Sequence, residues 1–308
     1  MEREGTAMIT YKCEFCGGEL VISPSGDLRC DYCGSKSHFS DAQLREYREF
    51  RSNMLKYLAA AAERKSGEKD DSGLWSYAER EYFQTEDGQD VTVEYLFRTG
   101  DDGIEMFFAR ESVIYVFPKG RTVQGERMLQ NIARVRFPSA DMKGLSRLIP
   151  TLKARLSLQN GDLLLAFQRE PGFYPLESFG ALPYEHAAWI LSRLENLCCI
   201  MAYSGLVHGG FRLESVYINP YTHEAALYGG WWKTEPERKG MTTDLIDIRK
   251  LVLRLLGVNR AESPKAFLEF LNSVPETDAY TDFERWDYVI ENRLGGRRFA
   301  RFEKNGKG

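Results

Sequence analysis

The residues with the clearest chemical potential are four cysteines near the amino terminus, set in two pairs as Cys13-Glu14-Phe15-Cys16 and Cys30-Asp31-Tyr32-Cys33. Thirteen residues separate the pairs, and Gly17 and Gly34 follow the second cysteine of each. Two thiolates spaced this way grip one side of a tetrahedral ion, and a second pair closes the shell. The glycines suit tight turns in which backbone N–H groups approach the sulfurs. Four sulfur ligands leave no open position, so the expectation is a structural Zn(2+) held by Cys13, Cys16, Cys30 and Cys33. Iron in the same ligand set is the alternative that the spacing leaves open. A redox dithiol would need only one pair, and His38 is not required as a fifth ligand.

Elsewhere the reactive side chains are sparse. No Ser-His-Asp order suggests hydrolysis. Cys198 and Cys199 fall inside a long apolar stretch and read as core. His208 reads as a core histidine rather than a general base, and Asp141, Glu170, Glu185 and Glu214 are scattered enough to be solvated. Trp231-Trp232, after Gly229-Gly230, fits an interface centre or a packed core equally well. Residues 295–302 alternate Arg with Phe; packing of Phe299 and Phe302 on the chain's own body is preferred over docking of a single-stranded nucleic acid.

The elements that would position these residues follow from periodicity. Residues 19–22 and 27–29 form a short hairpin around Ser23-Pro24-Ser25-Gly26. Ser40 and Gln43 make a capping box for a helix over 41–64, whose apolar stripe packs on the main body. Residues 66–73 are a charged, flexible linker. Strands are expected at 91–97, 104–108 and 112–117, then a helix over 121–135. Two more strands, at 152–158 and 162–167, flank an Asn160-Gly161 hairpin turn. Helices follow at 184–204, 243–256, 267–274 and 283–294. No internal repeat is visible.

The doubled C-x-x-C-G with its intervening hairpin resembles a zinc ribbon. The strand and helix order further on is that of protein kinases, and the segment His208-Gly209-Gly210-Phe211-Arg212-Leu213-Glu214-Ser215-Val216 resembles their catalytic loop, H-R-D-x-K-P-x-N-I. His208 matches. Gly210 stands where that family has its catalytic Asp, Arg212 replaces the loop Lys, and Ser215 replaces the metal-binding Asn. The run Glu224 to Trp232 falls where the family's D-F-G segment belongs and carries no Asp. Thr243-Asp244 resembles the start of the helix whose buried Asp steadies the catalytic loop. Glu126 is placed for the helix Glu that orients the phosphate-holding Lys, but the strand 112–117 has no Lys; Lys119 lies beyond it and Arg110 before it. No Gly-rich phosphate loop is present. The run Leu227 to Trp232 is similar to that of uncharacterised kinase-like proteins of bacteria and their phages.

The resemblance implies an α+β fold in three parts: a zinc ribbon over 1–40, a helix and linker over 41–89, and a two-lobed kinase-like domain over 90–302, with a β-rich lobe to about 170 and a helical lobe beyond. Because phosphoryl transfer needs metal ions and a positioning carboxylate, the expectation is a pseudokinase-like adaptor that binds a protein partner and is not an enzyme. ATP binding is not expected. The alternatives are an atypical ATP-dependent kinase using Lys119 or Arg110, Glu126 and Arg212, and a ribbon associated with nucleic acid. Residues 1–40 hold four basic against six acidic side chains, and the whole chain of 308 residues has a net charge of −4, so a polyanionic partner is disfavoured. No stretch nears the roughly 18 apolar residues of a membrane span. The polar amino terminus lacks a secretory core, so a reducing, cytoplasmic setting is expected.

Overall fold

The computed structural model describes residues 20–22, 28–30, 35–37, 75, 78–101, 103–237 and 242–297. Near the amino terminus, β1 (Leu20–Ile22), β2 (Leu28–Cys30) and β3 (Lys36–Ser37) form a three-stranded antiparallel sheet, with Leu20 opposite Cys30. The hairpin expected from the sequence is therefore present in the backbone. Cys13, Cys16 and Cys33, and the helix expected over 41–64, lie outside the described residues.

The larger sheet has six antiparallel strands: β4 (Glu79–Gln84), β5 (Asp90–Asp101), β6 (Ile104–Ala109), β7 (Ser112–Phe117), β8 (Thr151–Ser157) and β9 (Leu163–Gln168), in the order β4-β5-β6-β7-β9-β8. β7 and β9 are buried on both faces, which is why they read as unbroken apolar runs. Val113, Tyr115 and Phe117 face the helices, while Ile114 and Val116 face a second cluster inside the curl. The sheet curls until its two edges meet. Thr85 bridges Leu158, and the amides of Glu86 and Gln159 donate to the carbonyls of Ser157 and Gln84 at 2.9 and 2.8 Å.

The sheet begins earlier than the sequence suggested. β4 lies within the segment read as helix and linker, and Trp75 is buried against Phe108 with ring centroids 5.8 Å apart. No alternating apolar pattern marks this strand, because charged residues fill two of its inward positions. Glu79 and Glu81 alternate with the exposed Arg80 and Tyr82, a pattern typical of a protected edge strand. Glu79 accepts a hydrogen bond from the Tyr95 hydroxyl at 3.1 Å.

Helix α1 (Thr122–Ile132) crosses the sheet between β7 and β8. Gly125 permits the approach: a Cβ there would lie 2.7 Å from Leu163 Cδ2. Beyond β10 (Tyr174–Pro175), α2 (Tyr184–Tyr203) forms the spine of the helical part. The strands β11 (Leu206–Val207), β12 (Val216–Asn219), β13 (Glu224–Leu227) and β14 (Glu235–Pro236) carry the loops that face the sheet. Helices α3 (Thr242–Leu256), α4 (Lys265–Asn272) and α5 (Ala279–Arg293) complete this part, with bounds within two residues of those expected except at the start of α5, which begins four residues early. Asp278 caps α5 by accepting from the Tyr280 and Thr281 amides.

Candidate functional site between the sheet and the helices

The loop from His208 to Ser215 hangs between two short pairings, β11 with β14 and β12 with β13. Its anchor is Asp244 at the start of α3. This carboxylate is fully buried and accepts from the backbone amides of His208 and Gly209, each at 2.7 Å. Burial raises its pKa to about 7, against the pull of those two amides. His208 is also fully buried, edge-on to Phe211 and Trp231. Burial pushes its pKa down to about 3, so it is neutral at neutral pH and a weak base. Its Nδ1 accepts from the Gly210 amide at 3.2 Å. Both residues hold the loop, as the sequence implied for them.

Ser215 faces inward. Its hydroxyl donates to the Gly210 carbonyl at 2.6 Å and accepts from the Arg212 amide at 3.0 Å. The opposite wall comes from β7 and the segment after β13. Tyr115, on the strand where the family resemblance calls for Lys, donates to the Tyr228 carbonyl at 3.1 Å. Trp232 stands edge-on to Tyr115 and Phe117, at 5.6 and 5.8 Å between centroids. Trp231 and Trp232 are both buried, in a 3-10 turn over Trp231–Lys233, so they belong to the core and not to an interface. α1 clamps this turn: Asn131 donates to the Trp231 and Thr234 carbonyls, both at 2.9 Å.

What remains between these walls is a void of about 20 Å³ lined by Thr99, Gly100, Glu214, Ser215, Gly229 and Trp232, among others. That is room for roughly one water. Gly210 stands where the family resemblance calls for the catalytic Asp, Gly229 lies in the run that carries no Asp, and both are closely packed. A Cβ on Gly229 would lie 2.7 Å from Ser215 Cβ and 2.8 Å from its Cα. One on Gly210 would come within 3.0 Å of Gly230 Cα. Gly229→Ala is accordingly expected to destabilise the protein by about 1–3 kcal/mol through overpacking. A urea midpoint unchanged from the parent would contradict that close packing.

The other expected participants are not brought together. Glu126 pairs with Arg155 at 2.6 Å on the surface, where both side chains are about half exposed. Arg110 stacks over Trp75 at 5.3 Å. The Lys119 amide donates to Asp162 at 2.8 Å, and its side chain lies along Gly161. Lys119, Arg110 and Glu126 thus each engage a different partner and do not form one set. Glu214, read as solvated, instead lines the void and has a buried carboxylate oxygen. The loop pattern could have flagged it, because it sits beside Ser215. Cys198 and Cys199 are core and half-buried thiols, as expected. Among the described residues no group of three or more His, Cys, Asp or Glu could hold a metal. No helix of the described residues is long and apolar enough to cross a membrane.

Neither a protein-family model nor a curated protein sequence matches the chain. Solved structures do. Vaccinia related kinase 3 aligns with a TM-score of 0.50 at 11% identity, covering 72% of this chain and 94% of that one. WbdD, solved with the kinase inhibitor LY294002, aligns at 0.44 and 15% over 66% of this chain; the chain spans 48% of WbdD's length. The PAN3 pseudokinase of Drosophila melanogaster aligns at 0.42 and 10%, covering 67% and 62%. The expectation that the chain is not an enzyme is corrected: the structure it matches at a TM-score of 0.50 is named as a kinase, so the fold gives no support to that expectation. At such identities the likeness concerns architecture, and the curled antiparallel sheet joined to a helical part is a protein-kinase-like fold.

Proposed function

We propose that the kinase-like body serves as a recognition module for a protein partner, joined to a zinc-held amino-terminal ribbon. The observation that carries this is the cleft itself. Tyr115, Trp232 and the packed Gly229 and Gly230 leave about 20 Å³ where the two parts meet, far below the roughly 300–1,000 Å³ of a small-molecule site. Recognition then falls to the outer surfaces of the sheet and helices. The ribbon reading rests on the two C-x-x-C pairs and on the antiparallel pairing of β1 with β2, which ends on Cys30. Zn(2+) bound by Cys13, Cys16, Cys30 and Cys33 would staple a segment too small to bury a core of its own.

A second reading, an atypical nucleotide-dependent kinase, is favoured by Glu214. It places a carboxylate at the void beside a loop that Asp244 holds in place. One experiment separates the two. Thermal unfolding of the full chain is followed with ATP, with and without magnesium, beside affinity capture by the full chain and by a Cys13→Ser/Cys16→Ser variant. The recognition reading expects no magnesium-dependent shift from ATP, and a stoichiometric protein partner whose capture weakens in the variant. A magnesium-dependent stabilisation by ATP that is lost in Glu214→Gln would replace it with the second reading. Metal analysis of the purified chain should return about one zinc per molecule; a metal-free, folded amino-terminal segment would remove the ribbon.

A further inference from the structure

A second cavity, of about 430 Å³, opens on the side of the helical part and takes no part in the cleft described above. Its size falls within the range of small-molecule sites. One wall is a single face of α2, where Arg193, Asn196, Leu197 and Ile200 recur at helical spacing. Leu148 faces them from the segment before β8, and Ala225 of β13 closes one end. Leu148, Leu197, Ile200 and Ala225 are all buried, so the interior is apolar and offers little to hold water.

The polar groups sit at the rim, and most are already engaged. Arg147 pairs with Glu224, with Nη1 donating to Oε2 at 3.0 Å. Thr222 donates to the same carboxylate at 2.7 Å. The Tyr280 hydroxyl donates to the Cys199 carbonyl at 3.2 Å. Two groups have capacity left. Arg193 donates through Nε to the His223 carbonyl at 2.6 Å, which fixes the plane of its guanidinium while its two terminal nitrogens stay uncommitted among the described residues. Half-buried Asn196, one turn along, has no side-chain hydrogen bond there. The lining carries one charge of each sign, Arg193 and Glu224; Glu224 is already paired with Arg147 from outside the cavity, which leaves the Arg193 guanidinium as the lining cation with hydrogen-bonding capacity to spare.

We infer that this cavity binds a small amphipathic carboxylate, with its apolar body against Leu148, Leu197 and Ile200 and its carboxylate on Arg193 and Asn196. A planar guanidinium with both terminal NH2 groups available is the side chain best suited to a carboxylate. A neighbouring amide supplies a further donor from the same helix face. An apolar molecule alone would leave these donors unused, and a small polar anion would leave the walls bare.

The test is calorimetric titration of the full chain with decanoate below its micelle concentration, beside decan-1-ol and acetate. Saturable one-to-one binding of decanoate is expected, with decan-1-ol weaker and acetate undetectable. Arg193→Gln and Asn196→Leu should each weaken decanoate by about tenfold, the scale of one lost charge-assisted hydrogen bond, with less effect on decan-1-ol. Leu145 also lines the cavity, and Leu145→Trp, which fills it, should abolish both. Arg193 also supports the turn at His223, so if Arg193→Gln misfolds, Asn196→Leu decides. The inference is overturned if decanoate does not saturate, if acetate or decan-1-ol binds as well, or if folded Asn196→Leu binds decanoate unchanged.

Discussion

Asp282→Ala is expected to cost about 3–5 kcal/mol of stability, the usual result of stranding a buried charge. Asp282 and Arg249 are both almost completely buried. The Arg249 guanidinium reaches both Asp282 oxygens, at 2.7 and 2.6 Å, donates to the Ser273 carbonyl at 2.6 Å, and lies 4.2 Å over the Phe270 ring. Asp282 also accepts the Glu276 amide at 2.8 Å. One ion pair thus ties α3, the end of α4 and the start of α5. Removing the carboxylate leaves a guanidinium in an apolar setting, and removing both charges does not. A volume-conserving Arg249→Met/Asp282→Leu pair should therefore lose less than the single change. Urea denaturation measures both. A single-variant loss below about 1 kcal/mol would mean that the pair is far better solvated than its burial indicates.

Glu195→Gln should instead stabilise the protein, and only above mildly acidic pH. Glu195 lies on α2, fully buried beside Asp282 and Arg249. Burial, and then repulsion from Asp282, raise its pKa from 4.5 to about 9, with Arg249 opposing. The folded state therefore holds a proton that the unfolded state releases above its own pKa. Stability from this group is fully present below about pH 4.5 and is lost as pH rises through about 9, by about 1.4 kcal/mol per unit. At pH 7 the accumulated loss is on the order of 3 kcal/mol, and glutamine, of the same shape and neutral, escapes it. The two proteins should match near pH 4.5 and diverge steadily to pH 9. A gap that does not change with pH would sink the assignment. His186 and His208 bear on the other limb: burial lowers them from 6.5 to about 4 and about 3, so their contribution is present above pH 6.5 and lost as pH falls. The slope between pH 7 and 9 is thus free of both.

Much of the architecture was legible because its signals were local. β7 and β9 carry unbroken apolar runs, Asn160-Gly161 turns the chain with Gly161 at φ 86°, and α2 is bounded by Pro183 and Gly205. β4 was not legible. Its inward positions hold Glu79 and Glu81, and only pairing with β5 makes it a strand. Glu126 misled for a related reason. Helical spacing placed it on the correct helix, but which face of α1 meets the sheet was decided by Gly125, whose missing side chain lets Phe117 and Leu163 close in.

The amino-acid sequence by itself determined the two C-x-x-C pairs of Cys13, Cys16, Cys30 and Cys33, the order of the apolar strands and the long helices from residue 91 onward, and the absence of an acid at position 210 and of any Asp in the run 224–232. Those depend on residue type and spacing along one chain. Tertiary structure alone decided that Trp231 and Trp232 fill the cleft instead of facing a partner, that Glu214 turns inward, and that Asp282 meets Arg249 across 33 residues. Each of these depends on which surfaces exclude water together. That is a property of packing between distant segments, and no local pattern encodes it.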